Sequence, residues 1–158
     1  MEAHVHAGEV EFVLELYRTL HTLCDRNGDT QSFNLVFRAC CTNGFEGAEK
    51  TATFYREEMK ALRVHANEET YETLIEVALI HGRGDESLQN ALSLCLEMRK
   101  EGLQLGVRVG SKLAEWCVEA GDQSAWLVLD GIEDCDEKKR LRRWTEQQLG
   151  ARSEAEKN

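Results

Sequence analysis

The chain has 158 residues, 42% of them hydrophobic and 30% charged, with six cysteines and no proline. That is the balance of a folded chain rather than a disordered one, and the length suits one domain with a real core. No apolar run approaches the roughly 18–20 residues that cross a bilayer. With 29 acidic against 19 basic residues the formal net charge is −10, which works against a phosphate-binding surface.

The missing proline, the 7% aromatic content and the scarcity of β-branched runs predict an all-α chain. In chain order, the first expected element is a helix over about 8–24. It follows a terminus with neither a secretory apolar segment nor an Arg-rich transit peptide. Two explanations stay open: the protein works where it is made, or the sequence is a mature or partial form.

Three helical hairpins are expected next, over about 31–64, 67–103 and 107–135, each read as helix A, glycine turn, helix B and turn. Their helix B faces recur at a fixed step of 39 residues: Val13-x2-Leu16-x3-Leu20, then Ala52-x2-Tyr55-x3-Met59, then Ala91-x2-Leu94-x3-Met98. Residues at i, i+3 and i+7 share one side of a helix. Helix A recurs at steps of 38 and 39, as Phe33-x2-Val36-Phe37-x2-Cys40, Tyr71-x2-Leu74-Ile75-x2-Ala78 and Gly110-x2-Leu113-Ala114-x2-Cys117. Gly44, Gly82 and Gly121 follow these helices, where a left-handed residue closes a helix well. A last helix over about 136–150 is expected to cap the stack, with a disordered tail over 151–158. A hairpin with one face that it cannot bury alone stacks on its neighbours, so the expected architecture is a single domain over 1–150, a right-handed helical-hairpin solenoid with a concave surface.

These tiles resemble the pentatricopeptide repeat proteins. "TYETLI" at 70–75 and "ALSLCLEMRKEGL" at 91–103 are close to the family's two helices. "SFNLVF" at 32–37 and "ATFYREEMKALRV" at 52–64 are looser copies, with Arg63 where glycine is usual. In the third tile Gly110 replaces the tyrosine. The Trp, Gly-Tyr and Pro positions of tetratricopeptide repeats have no counterpart. The resemblance implies an organelle, mitochondrion or chloroplast, and single-stranded RNA read one base per repeat through two side chains. It carries the first reading position to Asn34, Glu72 and Ser111, and the second to Asn67 and Gly106, with Arg140 at the third. Asn34 with Asn67 is a plausible base-contacting pair, although asparagine at 67 also suits a helix N-cap. Glu72 repels a phosphate strand and Gly106 offers no donor, so the code is degraded.

The six cysteines show no Cys-x2-Cys pair and no zinc spacing, and Cys40 and Cys117 fall at the helix-packing position of Ala78. They read as reduced core thiols. His4 and His6 lack a third ligand, neighbouring carboxylates such as Glu57 and Glu58 point apart, and "HGRGDE" at 81–86 lacks the Lys-Ser/Thr of a phosphate loop. No metal, cofactor or enzymatic activity is therefore expected. The closing helix is different, because residues 136–158 hold seven basic and five acidic residues and the remainder 12 and 24. Lys138, Lys139, Arg140, Arg142, Arg143 and Trp144 form a candidate docking patch beside the polar cap that a solenoid needs. The expected function is a non-catalytic adaptor or accessory subunit of a larger, organellar assembly, with protein partners. The alternative is an RNA-binding repeat protein, or a fragment of one. Peripheral contact of the basic patch with an anionic surface is a further option.

Overall fold

A computed structural model of the chain describes residues 11, 12, 14, 15, 18, 29–42, 45–82 and 84–155. Within them the fold is all-α. The helices are α1 (Thr30–Cys40), α2 (Ala48–Ala61), α3 (Glu68–His81), α4 (Asp85–Lys100), α5 (Val107–Ala120), α6 (Ala125–Gly131) and α7 (Asp136–Ala155). The chain forms two compact units, residues 1–82 and 83–158. The two helices of the second tile, α3 and α4, thus belong to different units. In the expected first helix, residues 11, 12, 14, 15 and 18 are helical, while Val13, Leu16 and Leu20 lie outside the described residues, as do His4, His6, Cys24 and Gly44.

In the first unit, α1, α2 and α3 pack against one another. α1 starts at Asp29, whose Oδ1 accepts hydrogen bonds from Ser32 N and Ser32 Oγ, both at 2.8 Å. Those two donors hold the Asp29 carboxyl below its ordinary range. The recurring apolar positions form the core: Phe33, Val36, Phe37 and Cys40 from α1, Ala52, Tyr55 and Met59 from α2, and Tyr71, Leu74, Ile75 and Ala78 from α3 are all buried. Phe33 and Phe37 stack with ring centroids 6.3 Å apart. Thr30 Oγ1 donates to His65 O at 2.8 Å and Arg38 pairs with Glu69, which tie α1 to the start of α3.

In the second unit, α4 packs on α5 and α6, and α7 packs on the same two helices. Ala91, Leu94, Met98, Leu113, Ala114 and Cys117 occupy the recurring positions and are buried. α6 has only seven residues, because after Gly131 the chain pairs with the segment before α5. Leu105 N donates to Gly131 O at 3.0 Å and Glu133 N to Leu105 O at 3.3 Å. This parallel bridge delivers Ile132 against Gly110: a Cβ there would lie 2.5 Å from Ile132 Cγ1 and 2.6 Å from its Cδ1. Glycine at 110, where the second tile has Tyr71, has a steric cause, since Ile132 fills the space.

The two long B helices end alike. Val64 N donates to Met59 O and Arg63 N to Lys60 O, both at 3.0 Å, while Leu103 N donates to Met98 O at 3.1 Å and Gly102 N to Arg99 O at 3.0 Å. Both are Schellman ends, which require a left-handed residue. Gly102 supplies it at φ 78°, and Arg63 does so at φ 56°, the one non-glycine residue with positive φ among those described. A side chain in that conformation costs about 1–2 kcal/mol, partly offset by the freedom that a glycine loses on folding, about 0.5–1 kcal/mol. Arg63→Gly is therefore expected to stabilise the first unit by up to about 1 kcal/mol, read as a higher urea midpoint in far-UV circular dichroism. A lower midpoint would show that the Arg63 side chain outweighs its backbone.

Gly121 closes α5 at φ 71°, as expected. Gly82 does not take that role after α3, for it is extended at φ −67°, ψ 142°. The turn passes instead to Gly84, whose φ 82°, ψ −172° is a conformation open essentially to glycine alone and which caps α4. α7 also runs past the expected stop at Gly150 to Ala155, since Ala151, Arg152 and Glu154 favour helix and nothing there breaks it. Residues 156–158 lie outside the described set. No described helix is long and apolar enough to cross a membrane.

Candidate functional site

The pair singled out by the repeat comes together. Asn34 projects from α1 and is 3% exposed, and its Nδ2 donates to Asn67 Oδ1 at 3.2 Å. Asn67 is the N-cap of α3. Its Oδ1 also accepts from Thr70 N at 3.0 Å, and its own N–H donates to Thr70 Oγ1 at 3.2 Å, completing a capping box. Thr70 Oγ1 lies 2.7 Å from Asn34 Oδ1 and 2.8 Å from Asn67 Oδ1, so its one proton serves either acceptor. Thr70 is 1% exposed.

The network explains the residue types. A capped helix start leaves fewer backbone donors without partners. Asn34 couples that cap to the neighbouring helix, and Thr70 closes the triangle. Asn34 and Thr70 are buried, where a polar group is costly unless hydrogen-bonded, while Asn67 is exposed at the helix start. A base binding through Asn34, or through Asn67 Oδ1, has to displace bonds that hold α3 to α1. Thr70 is the member that the repeat code misses; its signal in the sequence is the Asn67-x2-Thr70 spacing of a capping box.

The other expected reading positions are distributed over α3, α5 and α7. Glu72 is half-buried on α3 in the first unit, whereas Gly106 is the extended N-cap of α5 in the second. Ser111 is half-buried on α5, and Arg140 is exposed on α7.

The basic helix divides by function of its residues. Lys138 turns inward, its Nζ donating to Ile132 O at 2.8 Å, and Lys139 pairs with Asp136 at 3.3 Å. Arg140, Arg142 and Arg143 are exposed, Trp144 and Leu141 half-buried, and Thr145 and Leu149 buried. Among the described residues, the buried Thr145 Oγ1 and His81 Nε2 have no hydrogen-bond partner. An unsatisfied buried hydroxyl is costly. Thr145→Val, of the same shape and similar helix propensity, is expected to stabilise the second unit by about 1 kcal/mol, seen as a raised urea midpoint in tryptophan fluorescence. A lowered midpoint would mean that the hydroxyl is paired.

Cys40, Cys95 and Cys117 are buried thiols and Cys41 and Cys135 are half-buried ones, with no disulfide among the described residues. Burial pushes Cys40 and Cys117 up to about 12, so both stay protonated at neutral pH. No family model matches the chain, and no curated protein matches it.

Proposed function

We propose that this chain is a non-catalytic adaptor or accessory subunit of a larger protein assembly, built as a right-handed solenoid of pentatricopeptide-like hairpins and working in an organelle. One observation carries the reading: Asn34 and Asn67, the best base-reading pair in the sequence, are committed to each other and to Thr70 at 2.7–3.2 Å. The net charge of −10, the carboxylate at Glu72 and the bare Gly106 support it from other directions. Partners would dock by shape along the helical faces, with the basic helix as a second contact. The organelle rests on the family resemblance alone.

A second reading, RNA binding, draws on the exposed arginines of α7. Purification of the native protein with its partners, at low and high salt and with and without RNase, separates the two. A fixed set of proteins that survives both treatments is the expected result. Loss of the partners on RNase treatment would overturn the adaptor reading.

A further inference from the structure

We infer that the exposed arginine face of α7 is a docking surface for a short acidic protein segment, a run of Asp and Glu carboxylates on the partner. This deepens the adaptor reading and rests on it for the kind of partner, but it stands on its own observations.

Arg140, Arg142 and Arg143 are exposed and their guanidinium groups make no ion pair or hydrogen bond with the described residues, unlike the side chains of Lys138 and Lys139 beside them. Arg140 and Arg143 are three residues apart and therefore neighbours on one helix face. Two guanidinium forks so placed suit carboxylates presented at the spacing of a helix turn or of alternate residues in an extended strand, and each fork can take one carboxylate through two hydrogen bonds. The half-buried Trp144, one position on from Arg143, adds an amphipathic edge of the kind that anchors interfaces.

Phosphates fit the same forks, so the field of the unit that carries α7 has to decide. Outside residues 136–158 the second unit carries five basic and ten acidic residues, a net of −5. Screening confines that field to about 8 Å at physiological ionic strength. A nucleic-acid strand extends beyond three arginines and meets the field along its length, whereas a short acidic segment ends where the patch ends. An anionic bilayer is flat and meets Asp136, Glu137 and Glu146, all exposed on the same helix, together with the arginines. With Thr145 and Leu149 buried and Leu141 and Trp144 half-buried, α7 offers a bilayer little apolar surface to insert.

The test uses the full chain and three probes, an octaglutamate peptide, an octauridylate RNA and phosphatidylserine vesicles, with binding read by fluorescence anisotropy and co-sedimentation at low and physiological ionic strength. The peptide is expected to bind most tightly and to weaken with salt. The double variant Arg140→Glu/Arg143→Glu is expected to lose at least about tenfold in affinity. Arg140→Lys/Arg143→Lys, which keeps the charge and endangers the fold less, is expected to lose severalfold because the fork is gone. Tighter binding of RNA or vesicles overturns the inference, as does peptide binding that is absent or indifferent to charge reversal. Partners that survive RNase while the peptide fails to bind would remove this surface and leave the adaptor reading standing.

Discussion

Gly110→Ala is expected to destabilise the second unit by about 1–2 kcal/mol, against the usual rule that alanine improves a helix. The rule alone predicts a gain of about 1 kcal/mol. The added Cβ, however, would sit 2.5 Å from Ile132 Cγ1, and Ile132 is 3% exposed and held by the bridge at Leu105. Overpacking of this kind costs about 1–3 kcal/mol. Tyrosine, the residue of the second tile, should cost more still. Ile132→Ala alone should cost about 2–4 kcal/mol through the void it leaves. Made together, the two changes should cost less than their sum, by about 1 kcal/mol or more. The measurement is convenient, because Trp116, Trp126 and Trp144 all lie in the second unit and their fluorescence reports on it under urea. Additive effects would show that position 110 does not feel Ile132.

The second large effect concerns the polar triangle. Asn34→Ala is expected to destabilise the first unit by about 1–3 kcal/mol, since it removes the donor to Asn67 Oδ1 and one of the two acceptors open to Thr70 Oγ1, and leaves a void at a buried position. Asn67→Ala should cost about 1–2 kcal/mol as a lost N-cap. The double variant should again fall short of the sum, because the residues share one network. Far-UV circular dichroism is the probe, as the first unit contains no tryptophan. If Asn34→Ala leaves stability unchanged and weakens binding to RNA, the asparagines are readers rather than fasteners, and the proposed function fails with them.

The recurring core was legible because helix burial has a period that the sequence writes directly: every described apolar position of the three tiles is buried where the spacing puts it. The joint between Asn34 and Asn67 was legible as a pairing, 33 residues apart. What each does was not, for a code position and a capping residue look alike until the third partner, Thr70, is in place. Ile132 could not be tied to Gly110 from spacing, since a bridge outside any helix brings them together. The division at residue 82 leaves no mark in composition, and the turn glycine moved two places, from Gly82 to Gly84, because two closely spaced glycines offered the chain a choice. The arginine face was visible as a basic run, but only the structure separates the two lysines whose side chains are engaged from the three arginines that have no side-chain partner among the described residues.

The bridge between Leu105 and Ile132 also bears on how the second unit opens. Leu105 lies in no helix, yet its amide is held by Gly131 O and its carbonyl by Glu133 N. Both ends of the α5–α6 hairpin are thereby tied at one point. Fraying at either helix end does not release that amide; the hairpin has to part as a whole. In hydrogen exchange the Leu105 amide, a loop residue by position, then behaves as a core residue, and its protection measures the cooperativity of the hairpin rather than the stability of any single helix.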